Sequence, residues 1–283
     1  GIVFFPNFSK WMDAASLQRE EFMVSANRER RVTYPAFLSG PNGQLIFRYR
    51  DGISGKGDDF YNVYDRHTRR WAPLLDQPLL TGHERMSAYF NPPTPGPDGY
   101  YHIWGVWRDN PDVGSNHDLS YARSRDLLHW ETSTGKPIAV PIDVGGVEIV
   151  DPVLPCGGIT NGNNRLGFDS KNRPILAYHK YIEDGSLQIF VARLEDGKWN
   201  IRQISDWGDY YWELHGRGTL VYPVTVGHWG RDSRNRLTLS YRYPRHEGYW
   251  VLEEHTLQVM ETVSASLHPL PPELARVESD FPG

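Results

Sequence analysis

The chain has few of the features that mark disulfide-rich, membrane-spanning or nucleic-acid-binding proteins. Cys156 is its single cysteine, so an intrachain disulfide is excluded, and one isolated thiol is a poor metal site. No apolar run approaches the roughly 20 residues that span a bilayer. The net charge of −5 is spread along the chain without a stripe of Lys or Arg, which gives no reason to expect nucleic acid. The sequence therefore predicts neither a membrane nor a nucleic-acid partner.

Aromatic and turn-forming residues are abundant instead. The chain has 10 Trp, 16 Tyr and 11 Phe, together with 27 Gly and 21 Pro in 283 residues. This composition favours many short strands joined by tight turns over disorder or coiled coil. No linker or low-complexity segment interrupts it, so a single domain over residues 1–283 is predicted.

A repeated unit organises the chain, with a period of about 60 to 70 residues. Each copy has a Gly, Asn or Asp turn and a strand that ends in an aromatic residue beside a basic one. A second strand that closes on Trp follows in three of the copies. The first strands lie in residues 40–50, 96–108, 169–180 and 232–242, and the closing strands in 64–71, 122–130 and 192–199. Alternating apolar and polar positions with this period predict an all-β fold, a β-propeller.

Aligning the copies places one cation at the same point of each, just after the aromatic strand end. These cations are Arg50, Arg108, Lys180 and Arg242. Equivalent positions of a propeller recur at similar height around one axis, so the four are expected to share a face and attract an anionic ligand. Neighbouring aromatics such as Trp107 and Tyr178 are candidates for stacking on sugar rings, although strand aromatics are also common in cores.

Seven segments carry a resemblance to a known family. They are residues 32–37, 47–57, 107–112, 115–124, 150–153, 178–181 and 192–199. They resemble the BNR-repeat family, which includes the seven-bladed β-propeller ulvan lyases and related enzymes of rhamnose–glucuronate glycans, some lyases and some α-L-rhamnosidases. The resemblance implies a secreted or periplasmic protein that acts on an acidic polysaccharide.

The resemblance also implies roles for particular residues. The ulvan lyases use a Tyr and, sixteen residues later, an Arg, which matches Tyr34 and Arg50 here, and His117 fits a later family histidine. An earlier blade of the family carries two further histidines in motifs that this sequence lacks. About four to five blades are therefore expected, with an N-terminal segment or a second chain completing the propeller. His179 and Lys180, at a strand end of the third repeat, are weaker binding candidates.

The chemistry of these residue types fits elimination next to a uronic acid. The C5 proton is barely acidic until the adjacent carboxylate is neutralised, which the permanently charged, forked guanidinium of Arg50 can do. A tyrosine phenol has a pKa of about 10, and a neighbouring cation favours its phenolate as a base. A histidine such as His117 titrates near neutrality and can move a proton or contact a carboxylate. No cofactor is required, and a structural divalent metal is compatible with the sequence.

Three functions follow as alternatives. The first is a polysaccharide lyase acting beside a uronic acid in a rhamnose-containing acidic glycan. The second is an α-L-rhamnosidase-type glycoside hydrolase on the same fold, and the third is a non-catalytic carbohydrate-binding propeller. The individual residues also have structural alternatives: Tyr34 as a strand aromatic, Arg50 in an ion pair with Asp51, and His117 within a turn.

Overall fold

The computed structural model describes residues 3–5, 18–20, 22–208, 210–218, 220–244 and 246–264. Within them the regular structure consists of strands and short 3₁₀ turns, with no α-helix. Contacts divide the chain into two compact units, Gly1–Leu220 and Val221–Gly283. The single domain predicted over residues 1–283 stays a prediction. A short helix or irregular blade end is also expected over residues 9–30. Part of that segment lies outside the described residues, and its described part has a short strand and turns.

The first unit begins with a two-stranded antiparallel sheet of β1 (Val3–Phe5) and β2 (Gln18–Glu20). A four-stranded antiparallel meander follows. Its strands are β3 (Val32–Ser39), β4 (Leu45–Ile53), β5 (Lys56–Asp65) and β6 (Arg70–Pro73). Residues 52–57, which the sequence suggests as a flexible loop, are instead a tight hairpin. Ile53 pairs with Lys56 around the two-residue turn Ser54-Gly55, and Gly55 at the second turn position adopts a positive φ that favours glycine.

The second meander is joined to the first by a parallel pairing of Gly57 with Ser87. Its main strands are β7 (Ser87–Phe90), β9 (Tyr101–Arg108), β10 (Asn116–Ser124) and β11 (Trp130–Glu131). Shorter strands extend it: β8 (Thr94–Pro95) pairs with β9, β12 (Pro137–Ile138) with β11, and β13 (Glu148–Asp151) with β10.

A third antiparallel meander completes the described part of the first unit, and a fourth forms the second unit. The third contains β14 (Arg165–Phe168), β15 (Pro174–Tyr181), β16 (Leu187–Glu195) and β17 (Lys198–Gln203). The fourth contains β18 (Thr225–Arg231), β19 (Leu237–Tyr243), β20 (His246–Leu252) and β21 (Val259–Ser264). The repeat seen in the sequence is therefore one four-stranded sheet.

Two apolar clusters fill the first unit. One joins the first and second meanders through buried residues such as Ile46, Tyr61 and Trp107. The other joins the second and third through residues such as Trp104 and Leu176. Within the first unit, consecutive meanders thus pack against one another, which is how stacked repeats obtain a continuous core.

The segment Ser124 to Trp130 resembles the Asp-box of sialidase-type propellers and is predicted to be a structural turn. The structure confirms this. The Ser124 hydroxyl accepts from the Leu127 amide at 2.8 Å, and the Asp126 carboxylate accepts from the Leu128 and His129 amides at 2.8 Å. Trp130 closes the turn against the core at 2% exposure, so the box stabilises the end of β10.

Candidate functional site

Tyr34 lies on a bulge of β3. The register of β3 against β4 shifts between Thr33 and Ala36, and Tyr34 has a φ of 52°, so its ring turns outward and is 51% exposed. The ring lies over the Arg50 guanidinium, 4.7 Å from Cζ to the ring centroid. The bulge therefore brings together the two residues that the sequence spacing pairs.

Arg50 is buried, and the described residues give it no carboxylate partner. Its side chain is held by a 3.0 Å hydrogen bond from Nε to the Thr33 hydroxyl, and Nη1 has no hydrogen-bond partner among the described residues. No described carboxylate forms an ion pair with it within 4.0 Å. Gly57 leaves room for the stem, because a Cβ there would stand 3.2 Å from Cγ and Cδ of Arg50. An unpaired buried charge is costly, which is the usual mark of an anion-binding position.

Arg108, the last residue of β9, is also buried and bonded to neutral groups. It is 6% exposed, and Nε donates to Asn116 Oδ1 at 3.0 Å. Nη1 lies 3.4 Å from the Ser54 hydroxyl and Nη2 donates to Asn161 Oδ1. These acceptors are all neutral, so Arg108 keeps its full positive charge.

Tyr89 in β7 lies beside both arginines. Its ring centroid is 4.9 Å from Cζ of Arg50 and 4.4 Å from Cζ of Arg108, and its hydroxyl lies 3.0 Å from that of Ser54. Burial acts to raise the pKa of Tyr89, but the Ser54 hydrogen bond and the two charges outweigh it and lower that pKa below the usual value. Tyr89 is therefore the tyrosine whose surroundings favour the phenolate.

Tyr89 was not singled out from the sequence. It lies in Ser-Ala-Tyr-Phe, a short buried strand with no polar marker. One signal was available: Tyr89 precedes Arg108 by 19 residues in the second repeat, much as Tyr34 precedes Arg50 by 16 in the first. Ser54 and Asn161 gave no such signal, because both reach the site from turns or loops of other repeats.

Tyr34, Arg50, Tyr89 and Asn161 line a pocket of about 290 Å³, and Arg108 contacts Tyr89 and Asn161 from outside that lining. The pocket walls come from β3 and β4 of the first meander, from β7 and the two residues after it, and from the segment that precedes β14. The lining residues are 34–36, Arg48, Arg50, 88–92 and 161–162. The described lining residues include no Asp or Glu, so the pocket is positively charged inside a chain of net charge −5.

Arg48 also lines the pocket but is neutralised. Its guanidinium forms a buried ion pair with Asp59, with Nε at 3.1 Å, and Nη2 also donates to the Phe90 carbonyl at 3.2 Å. The pair ties β4 to β5 and β7. Arg48 therefore holds the pocket wall, Arg50 presents its charge to the pocket, and Arg108 contacts the lining residue Tyr89 from outside the lining.

His117 does not line this pocket. Its Nδ1 lies 2.9 Å from Asp118 and its Nε2 3.1 Å from Asp109, so both ring nitrogens face carboxylates. The ring is on β10, one residue beyond the Asn116 that pairs with Arg108. Its catalytic role stays a prediction.

Three residues predicted to bind substrate lie in the core instead. Trp107 and Tyr178 are fully buried, and their polar atoms bond to Ser120 and Asp151 respectively. His179 is 1% exposed and bonds to the Gly158 carbonyl at 2.7 Å. These side chains present no surface to a sugar, because β9 and β15 are packed on both faces: Tyr178 and His179 are consecutive, point to opposite faces and are both buried.

The last two predicted cations have other partners. Lys180 forms a 2.6 Å ion pair with Asp151 and lies over the Phe190 ring. Arg242, in the second unit, is exposed and donates to the Tyr222 carbonyl and the Thr225 hydroxyl. In the first unit, the predicted ring is thus reduced to the pair Arg50 and Arg108.

The described residues contain no group of three or more His, Cys, Asp or Glu side chains placed to hold a metal ion. Within the same residues, no helix is long and apolar enough to cross a membrane.

The four-stranded antiparallel sheets define the class of fold, a β-propeller. A model of the BNR repeat-containing family matches residues 4–207. The chain belongs to this family. A comparison with curated proteins finds no match.

Solved structures show the same fold. The chain is similar to a polysaccharide lyase, the PL25 ulvan lyase, with 13% identity, a TM-score of 0.59 and coverage of 83% of this chain and 55% of that one. For polysaccharide lyase Uly1 the identity is 15% and the TM-score 0.59, with coverage of 95% and 57%. The ulvan lyase bound to -[GlcA(1-4)Rha3S]- matches with 12% identity and a TM-score of 0.57. This chain spans just over half the length of these lyases.

Proposed function

We propose that the chain is a polysaccharide lyase that cleaves the bond next to a uronic acid in an acidic rhamnose-containing glycan by β-elimination. The substrate would be of the ulvan or rhamnose–glucuronate type. The observation that carries this proposal is the pair of buried guanidinium groups, Arg50 and Arg108, which have no carboxylate partner within the described part of the chain. A uronate carboxylate is the planar, bidentate anion that such groups recognise.

Each residue of the proposed site has a role in this reaction. Arg50 and Arg108 bind the carboxylate and stabilise the charge that develops when the C5 proton leaves. The Tyr89 phenolate takes that proton, the bond from C4 to the leaving oxygen breaks, and a double bond forms between C4 and C5. Tyr34, half exposed at the pocket mouth, gives its phenolic proton to the leaving oxygen. The sequence spacing suggests Tyr34 as the base; Tyr89 is preferred because two cations and a hydroxyl act on it.

The lining of the pocket favours elimination over hydrolysis. Glycoside hydrolases generally need two carboxylates flanking the scissile bond. In the described part of the chain the pocket lining supplies tyrosines and arginines and no carboxylate. We place the activity in the secreted or periplasmic compartment, because a polymer of this kind is too large to cross a membrane.

The test is the product formed from a glucuronate–rhamnose polysaccharide. A lyase releases an unsaturated uronate that absorbs in the ultraviolet. Free rhamnose without that absorbance would show the hydrolase, and binding without any product would show a carbohydrate-binding module. Tyr89→Phe should abolish product formation in a folded protein, whereas Tyr34→Phe should slow it. Full activity of Tyr89→Phe together with loss of activity in Tyr34→Phe would show that Tyr34 is the base.

A further inference from the structure

The hairpin turn between β4 and β5 reaches from the first meander into the second. Gly55 packs so tightly there that a Cβ would stand 2.4 Å from the Asn110 carbonyl carbon. On the other side the Ser87 hydroxyl lies 3.4 Å from the Ile53 carbonyl. Ser54 is therefore held at a fixed place beside residues that belong to a different sheet.

Ser54 has two hydrogen-bond neighbours in this site. Its oxygen lies 3.4 Å from Nη1 of Arg108 and 3.0 Å from the Tyr89 hydroxyl. A guanidinium only donates, so the Ser54 oxygen accepts from Arg108 and keeps its single hydrogen available to Tyr89. When Tyr89 is a phenolate, its oxygen can only accept, so Ser54 is then the donor. A hydrogen bond donated to the phenol oxygen favours the phenolate form of the tyrosine.

The charged and titratable groups around Tyr89 act in the same direction. Arg50 faces it from β4 and Arg108 from β9, both within 5 Å of the ring. From β3 comes Tyr34, with its ring centroid 6.0 Å away. The described residues around the ring contribute no carboxylate within 4.0 Å of either arginine. Ser54 is neutral and lies within hydrogen-bond distance of the Tyr89 hydroxyl, so its removal tests a hydrogen bond without removing a charge.

We propose that Ser54 is a positioning residue of this site: its hydroxyl holds the Tyr89 oxygen as an acceptor and stabilises the phenolate that removes the substrate proton. The catalytic part of this role rests on the function proposed above. The hydrogen bond and its effect on Tyr89 are properties of the protein without substrate.

The test is a titration of Tyr89 by ¹³C NMR in protein labelled at the tyrosine ζ carbon. Its resonance is assigned by its absence in Tyr89→Phe. Ser54→Ala should raise the midpoint of the Tyr89 titration by about one pH unit, the size expected for a hydrogen bond to a charged group. Ser54→Thr should keep the wild-type midpoint, because it keeps a hydroxyl. Ser233→Ala, in an exposed turn of the second unit, is the matched control. Ser54→Gly removes the same hydroxyl and replaces Ser54→Ala if that variant does not fold.

The kinetic readout separates positioning from a purely structural role. A base with a raised pKa moves the acid limb of the pH profile of kcat/KM to higher pH. Ser54→Ala should show this displacement, and Ser54→Thr should not. An unchanged Tyr89 midpoint in folded Ser54→Ala, or a raised one in Ser54→Thr, would overturn the proposal. A raised midpoint in a protein without lyase activity would confirm the hydrogen bond and reject the catalytic function.

Discussion

Arg50 and Arg108 occupy the same place in their sheets as Lys180 and Arg242 do in theirs, and yet the two pairs differ in charge balance. All four lie towards the end of the second strand of a meander: β4, β9, β15 and β19. Arg50 and Arg108 are buried and bonded to neutral groups. Lys180 is paired with Asp151, and Arg242 is exposed. The repeat fixes the position of the cation, whereas residues from neighbouring strands and loops decide whether its charge is available.

The partners explain the difference. Thr33, Asn116 and Asn161 are hydroxyl or amide acceptors, which orient a guanidinium and leave its charge in place. Asp151 contributes a carboxylate from β13, and it also accepts from Tyr178. The Tyr178 pKa is accordingly raised by burial and by Asp151, whereas that of Tyr89 is lowered. A tyrosine and a cation therefore lie beside neutral hydrogen-bond partners in the proposed anion site, whereas Tyr178 and Lys180 share a buried carboxylate.

The largest expected effect is at Arg50. Arg50→Ala should lower turnover on an acidic glycan by roughly two to three orders of magnitude, because it removes charge stabilisation from the developing enolate. Arg242→Ala, at the equivalent exposed position, is the control and should leave turnover near wild type. The measurement is the initial rate of product absorbance, with thermal unfolding to show that both variants fold. Near-wild-type turnover in folded Arg50→Ala would remove Arg50 from the site.

His179, next to Lys180, should affect stability and not turnover. Burial lowers the pKa of His179 to about 4 from an ordinary 6.5, so the unfolded chain binds the proton more readily. The contribution of neutral His179 is complete above pH 6.5 and is lost as the pH falls towards 4. The free energy of unfolding should therefore drop by about 2 kcal/mol between pH 7 and pH 5 from this group.

Urea unfolding of His179→Gln at the two pH values checks this. The variant should be less stable at pH 7, and its loss of stability between pH 7 and pH 5 should be smaller than that of the wild type. His67→Gln, at an exposed turn of the same unit, should keep the wild-type dependence. Equal pH dependence in His179→Gln and the wild type would contradict the assignment.

Asn161→Asp would give Arg108 a carboxylate partner, as Asp151 is for Lys180. The change keeps the shape of the side chain and places a carboxylate against Nη2 of Arg108. We expect affinity for an acidic oligosaccharide to fall about tenfold, since the introduced charge competes with the ligand for the guanidinium. Asn42→Asp adds the same charge at an exposed turn and should have little effect. If both variants bound as the wild type does, Arg108 would not contact the ligand.

The smallest expected effect is that of ionic strength on the affinity for the oligosaccharide. Raising salt from about 0.1 M to 1 M shortens the screening length from roughly 10 to 3 Å, and affinity for the oligosaccharide should fall a few-fold. The decrease should be modest because both arginines are buried. Arg242→Ala should leave the salt dependence unchanged. A clear reduction in that variant would favour the four-cation ring that the repeat alignment predicts.

The meanders could be predicted because the repeat period is a local pattern of the sequence. The pairing of Tyr34 with Arg50 is implied by the family resemblance, and the contact forms across the neighbouring strands β3 and β4. The core placement of Trp107 and Tyr178 could not be predicted, since a strand aromatic has the same local pattern whether its face meets a neighbouring sheet or solvent. Tyr89, Ser54 and Asn161 come together only through contacts between repeats, which a pattern within one repeat does not contain.

The central claim is that unpaired buried arginines, and not the cation repeat as such, create the binding site. Calorimetric titration of an acidic glucuronate–rhamnose oligosaccharide tests it most directly, with two double variants matched by position. Arg50→Ala with Arg108→Ala should abolish measurable binding, whereas Lys180→Met with Arg242→Ala should bind as the wild type does, both with intact folds. Equal losses in the two double variants, or binding that survives only in the first, would contradict this account.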